Sequence, residues 1–149
     1  MFKKILVATH GTEGAKKAET CGIELSKTFC TELYGLYVIP SSWAEIAGIE
    51  WLHSSKVRME FYKHMETELN RRAKEVIDEF TRKALNYQIT VIPLVKVGKP
   101  ELIIIDESKK NNIDLLILGR RIKSKSEEYK YTISFKKLEK TLTCPILLI

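Results

Sequence analysis

Four aliphatic residues stand unbroken at Leu115, Leu116, Ile117 and Leu118, opened by Asp114 and closed by Gly119-Arg120-Arg121. A run that is apolar at every position, not at every second one, fits a strand buried on both faces, as in the middle of a parallel sheet. Parallel strands cannot be joined by tight hairpins; each pair needs a long crossover, usually a helix. The run therefore points to a chain of alternating strands and helices. Open sheets of that kind bind small molecules just past the carboxyl ends of their strands. Gly119 and the arginines behind it stand where a phosphate would be read.

The remaining sequence supplies the alternation. Lys4 to Thr9 reads as a first buried strand, and His10-Gly11-Thr12 turns the chain, with Thr12 placed to cap a helix. From Glu13 to Phe29, apolar or small residues recur at helical spacing: Ala15, Ala18, Cys21, Gly22, Leu25 and Phe29. Glu32 to Ile39 reads as a second strand, stopped by Pro40-Ser41-Ser42. The stretch up to His53 holds Trp43 and Trp51 without a clear period and is expected to be a loop. Ser54 or Ser55 opens a long helix to about Tyr87, whose apolar positions step mostly by four, so that its stripe drifts around the axis. At 1.5 Å per residue it spans roughly 45–50 Å, more than a small sheet covers, so its first turns should overhang the sheet or meet a partner.

Gln88 to Val97 is expected as a third strand, with Pro93 marking an edge or an irregular point because it lacks a backbone donor. Gly98-Lys99-Pro100 starts the next helix, which runs to about Lys110, and Asn111-Asn112 suits a left-handed cap. After the opening run comes a polar, basic stretch, then a helix of about ten residues carrying Ile133, Leu138 and Leu142, then a fifth strand, Pro145 to Ile149. The expected fold is α/β: one three-layer domain over residues 1–149 with a five-stranded parallel sheet. A short aliphatic terminal strand makes a poor free edge, so it is expected to pair with its own copy in a two-fold homodimer. The alternative places it inside the sheet or under a loop.

The bulk numbers fit one soluble domain. A length of 149 residues allows one sizeable core. A net charge of +6 admits an anionic partner, but the lysines are spread along the chain, so nucleic acid is not expected. Cys21, Cys30 and Cys144 form no CxxC and no metal-ligand spacing, which suits reduced thiols in the cytoplasm. The opening apolar run stops at Ala8, too short for a secretory signal, and nothing later reaches membrane-spanning length. Paired carboxylates, a Walker lysine, a GxGxxG, a zinc cluster and a GxSxG elbow are all missing. His10 has no nucleophile motif beside it, and His53 and His64 do not make a metal-helix spacing. No catalytic residue and no metal ligand are therefore named.

Four pieces in order carry a resemblance: Lys3-Lys4-Ile5-Leu6-Val7 with Gly11-Thr12, Val97-Gly98-Lys99-Pro100, Asp114 to Gly119, and Cys144 to Ile149. Together they resemble the universal stress protein family over essentially the whole chain. The resemblance implies a sheet of adenine-nucleotide α-hydrolase-like (Rossmann-like) topology and a dimer through the last strand. Family members that resemble ATP binders keep a glycine, two residues, a glycine, nine residues, then a glycine and a serine or threonine. Here Gly119 stands at the first position, but Ile122, Thr132 and Ile133 occupy the others. A β-branched Ile122 resists positive φ and puts bulk where backbone would approach phosphate. His10 stands where ATP-binding members carry an aspartate.

The candidate nucleotide-contacting residues are Thr9, His10, Val38, Gly119, Arg120, Arg121, Thr132 and Ser134. The leading expectation is a cytoplasmic stress or regulatory homodimer without catalysis, its ATP binding weakened or lost. One alternative keeps an ATP or AMP site, with magnesium arriving only alongside ATP, in which Arg120, Arg121, Lys123 and Lys125 replace the missing backbone nest as phosphate clamp and slow hydrolysis follows. Against that clamp stands a solvated basic loop partly offset by Glu127 and Glu128. The other alternative is a protein-interaction module using Trp43, Ile46, Ile49 and Trp51 or the overhanging helix. Asp114 is expected to tether a strand end, and Cys21 and Cys144 to fill core space.

Overall fold

The alternation is realised in the computed structural model, which describes residues 1–41, 55–120 and 133–149. In chain order the elements are β1 (Lys4–Ala8), α1 (Glu13–Phe29), β2 (Glu32–Pro40), α2 (Ser55–Leu85), β3 (Val91–Gly98), α3 (Pro100–Lys110), β4 (Leu115–Leu118), α4 (Phe135–Thr141) and β5 (Ile146–Leu148). All strand pairings are parallel, in the order β3-β2-β1-β4-β5. The expected loop with Trp43, Ile46, Ile49 and Trp51, the Ser54 helix start and the basic stretch from Arg121 to Thr132 lie outside the described residues.

Side-chain alternation divides the core into two layers. Ile5, Val7, Leu33, Leu115 and Ile117 face α1 and α2, where they meet Ala18, Ile23, Phe80 and Ala84. Leu6, Tyr34, Leu36, Leu116 and Leu118 face the other way, onto Ile104, Ile105 and Leu138 of α3 and α4. Leu115–Leu118 is buried at every position, as its sequence requires. Gly35 explains itself in the α1 and α2 layer: a Cβ there would stand 2.9 Å from two ring carbons of Phe80, so the missing side chain makes room for the aromatic.

Local signals behave as their chemistry dictates. Thr12 caps α1, its Oγ1 accepting from the Ala15 amide at 3.3 Å. Pro100 occupies the first turn of α3, and Asn112 takes the left-handed conformation at φ 54° beyond its end. The Asp114 carboxylate accepts hydrogen bonds from the Lys3 and Lys4 amides at 2.9 Å each, stitching the amino ends of β4 and β1 together. Cys21 and Cys144 are half-buried and pack on the two core layers, while Cys30 is exposed.

Most strand ends differ from expectation by one residue: β1 stops at Ala8, β2 takes in Pro40, β3 takes in Gly98, and β5 is Ile146–Leu148. Three boundaries differ by more. The third strand begins at Val91 rather than Gln88, because Gln88 sits at φ 61° and its amide closes the turn after α2 by donating to the Leu85 carbonyl. Pro93 lies in an outer strand, where its missing donor is tolerated. The last helix is seven residues, not about ten; Ile133 and Leu142 flank it and still pack on the α3 layer. The long helix ends at Leu85, two residues short of Tyr87.

Candidate functional site

Strand order locates the site. From β1 the chain steps outward through β2 to β3, then returns to place β4 on the other flank of β1. Connections leave in opposite directions from β1 and β4, opening a crevice at their carboxyl ends, the place where doubly wound sheets bind ligands. Ala8 pairs with Leu36 on one side and Leu118 on the other, so Thr9 to Gly11 and Gly119-Arg120 emerge side by side. β2 continues past β1, and half-buried Val38 reaches beyond the end of the first strand on the α3 side.

The turn after β1 is held from below. Thr9 extends the ladder, its amide donating to the Leu36 carbonyl at 2.9 Å. Its hydroxyl donates to Glu19 Oε1 at 2.5 Å and accepts from the Gly11 amide at 3.4 Å. Thr9 is 3% exposed and spends its hydrogen-bonding capacity on the fold, so it shapes the turn instead of presenting a hydroxyl to a ligand. Glu19 is buried too, and burial pushes its carboxyl above the ordinary range, against the Thr9 hydrogen bond and the Lys83 and Lys16 charges. Lys16 is itself paired with Glu79 at 3.2 Å, and Lys83 donates to Thr20 at 2.5 Å. His10 is exposed at the tip of the turn.

The same turn is covered from above. Gly11 adopts φ 79°, and a Cβ there would stand 2.7 Å from Val76 Cγ2 and 2.9 Å from Arg72 Nη2. Left-handed backbone and lack of room together require glycine at this position. The Arg72 guanidinium of α2 thus rests on the turn, and its charge opposes the burial that raises the Tyr37 phenol.

On the β4 side, Gly119 touches Gly14 backbone to backbone. A Cβ on Gly119 would collide with the Gly14 carbonyl and lie 2.5 Å from the Ala15 amide nitrogen; one on Gly14 would collide with the Arg120 carbonyl oxygen. Gly119 therefore packs β4 against the first turn of α1, the close strand–helix approach that glycine permits. Its presence in the sequence is accounted for by packing alone. The Arg120 amide donates to the Ile149 carbonyl at 2.6 Å, anchoring this strand end to β5, and the Arg120 side chain is exposed.

Of the candidate residues, Thr9, His10, Val38, Gly119 and Arg120 gather at the crevice. Ser134 stands at the start of α4, its amide donating to Glu101 of α3 at 3.0 Å. Arg121 and Thr132 fall outside the described residues. Among the described residues, no three His, Cys, Asp or Glu side chains are grouped to hold a metal ion, and no helix is long and apolar enough to cross a membrane.

Glu19 and Arg72 were not singled out in the sequence. Glu19 had a signal: it is an acid on the buried stripe of α1, four residues from both Ala15 and Ile23. Arg72 precedes Ala73 and lies four before Val76, at the border of a buried stripe, but contact with residue 11 is legible only in three dimensions.

Three comparisons place this geometry among known proteins. The sequence model described as "Universal stress protein family" matches residues 1–149. A universal stress protein of Bacillus subtilis, YxiE, is 24% identical, covering 100% of this chain and 99% of its own length. The solved structure of the hypothetical protein MJ0577 superposes with a TM-score of 0.75 at 23% identity, over 100% of this chain and 96% of that one. A universal stress protein family protein from Arabidopsis thaliana, solved with AMP bound, gives 0.64 at 21% identity, over 99% and 90% of the respective chains.

Proposed function

Because the chain belongs to the universal stress protein family, we propose that it is a regulatory adenine-nucleotide-binding protein with a weakened phosphate grip and no catalytic role, acting in the cytoplasm as a homodimer. The observation that carries this is the strand order, which brings the Gly11 turn with Arg72 on it, half-buried Val38 and exposed Arg120 to the carboxyl ends of the central strands. The AMP held by the Arabidopsis protein of the same fold supports adenine nucleotide as the ligand class.

The groups present fit such a ligand on one side only. Val38 offers an apolar rim for the base, and Arg120 offers charge for phosphate. The backbone nest is what weakens: Gly119 is committed to Gly14, and the motif's other positions hold Ile122, Thr132 and Ile133. A nest of amides grips phosphate through many aligned donors, and replacing it with exposed, solvated side chains lowers affinity. A nucleotide held this way reports its own concentration and is not driven through chemistry. Magnesium would arrive with ATP, since the described residues gather no metal-ligand set of their own.

Calorimetric titration of nucleotide-free protein with ATP and AMP tests the proposal. Dissociation constants in the range of tens of micromolar to about 1 mM, corresponding to roughly −6 to −4 kcal/mol, are expected. No heat up to millimolar concentrations of either nucleotide would sink it, leaving an interaction module. The exposed apolar residues Val57 and Met59, on the early turns of α2, favour that second reading.

A further inference from the structure

Resting on the proposed nucleotide site, the structure assigns a phosphate-binding role to Arg72, a residue of α2 some fifty positions away from any element of the family's glycine motif. We infer that the Arg72 guanidinium, laid across the Gly11 turn, supplies charge to the ligand's phosphates from the α2 side of the crevice.

Partner choice along α2 makes the case. Arg71 and Arg72 are adjacent, with Glu68 and Glu75 as the carboxylates in helical reach. Arg71 takes both: it pairs with Glu68 at 2.8 Å and also with Glu75. No carboxylate of the described residues lies within ion-pair distance of Arg72. Lys16 and Lys83, the cations beside Glu19, are engaged, Lys16 with Glu79 and Lys83 with Thr20 and the Lys16 carbonyl. Among the described residues, Arg72 is thus a cation without a carboxylate partner, beside the carboxyl end of β1.

Its placement is fixed as well. The guanidinium lies so close to Gly11 that even a methyl group there would stand 2.9 Å from Nη2, and Val76 backs the turn from the next position of the same helix face. Arg72 is exposed, so a ligand can reach it. Arginine presents a planar fork of N–H donors that matches two phosphate oxygens at once, and unlike lysine it keeps its charge at every relevant pH. Arg72 and Arg120 would then approach phosphate from opposite walls of the crevice, one over β1 and the other beyond β4. Part of the phosphate grip lost with the glycine nest is then supplied by a helix the motif does not include.

The test uses Arg72→Gln, which keeps a polar side chain on α2 but removes the guanidinium and its charge from over Gly11, with Arg71→Gln as the neighbouring control. Binding of ATP, AMP and adenosine is measured by calorimetry, with thermal unfolding of each variant alongside. Arg72→Gln should weaken ATP and AMP by about tenfold or more and leave adenosine within roughly twofold of wild type. Arg71→Gln should change none of the three. Equal weakening of adenosine would overturn the inference, making Arg72 a support for the turn. So would ATP binding in Arg72→Gln indistinguishable from Arg71→Gln, with the nucleotide proposal left standing. Absence of ATP binding in the wild type would remove both.

Discussion

At the scale of single residues, Glu19 is the group most at odds with its surroundings. It is a buried carboxyl beneath the β1 turn, hydrogen-bonded to Thr9 and flanked by Lys83 and Lys16, with Glu79 opposing them. Burial dominates and raises its affinity for protons, so the folded state holds a proton at Glu19 more tightly than the unfolded chain does. The sign follows. Its contribution to stability is fullest at acidic pH, below the ordinary carboxylate value, and is lost as pH rises through the raised value. Glu19→Gln keeps an acceptor for Thr9 and removes the titration. The variant should therefore be the more stable protein at neutral pH, by about 1.4 kcal/mol for each pH unit of the shift, with the advantage fading on acidification. Urea denaturation of both proteins from acidic to neutral pH measures this; a difference that does not change with pH would show that Glu19 acts only through its shape.

At the scale of elements, α2 divides into two halves with different duties. Ala73, Val76, Ile77, Phe80 and Ala84 are buried against the sheet, whereas none of the preceding residues of the helix is buried. Phe80→Ala should cost about 3–5 kcal/mol, because the ring is fully buried and fills the space above Gly35. Met59→Ala, at a position 63% exposed, should change stability by less than about 0.5 kcal/mol. Chemical denaturation of the two variants checks the contrast, and a large loss at Met59 would mean that the early turns are packed after all. This division was legible in sequence as a drifting stripe, since steps of four move steadily around a helix that turns every 3.6 residues. The strands were legible for the same reason, as buried aliphatic runs. The start of β3 was not: Ile89 and Thr90 look like strand residues, and the left-handed Gln88 that delays the strand has no signature in its side chain.

At the scale of the whole molecule, β5 is an outer strand of the sheet, bonded to β4 through the Leu116–Pro145 and Ile149–Leu118 contacts. Its side chains Ile146, Leu147 and Leu148 are only half-buried, which supports the proposal that a second copy covers them. Leu147→Lys should turn a dimer into a monomer in sedimentation or light scattering; a wild type already monomeric at tens of micromolar would end that proposal. The candidate site is a property of this scale as well, which is why it was only half legible. Thr9, His10, Val38, Gly119 and Arg120 could be chosen because strand ends can be read from aliphatic runs. Their neighbours could not. Glu19 and Arg72 come to the crevice from two helices, through contacts set by how those helices lie on the sheet. Gly119 shows the converse: its motif position suggests phosphate, but its close contact is with Gly14.

The strand order also sets a timetable. β1 is made before β2 and β4, yet it finishes between them in the middle of the sheet, paired with Glu32 to Leu36 on one edge and Leu115 to Leu118 on the other. The first pairing closes over a short span of chain and can begin early. The second must wait for β4, 107 residues after the end of β1 at Ala8, or about 5–20 s at a synthesis rate of roughly 5–20 residues per second. Through that interval Ile5, Leu6 and Val7 have one open edge, and long-range parallel pairings of this kind are slow to form. This aliphatic strand is therefore exposed along one edge while the chain is being made, and the arrival of Leu115–Leu118 ends that exposure.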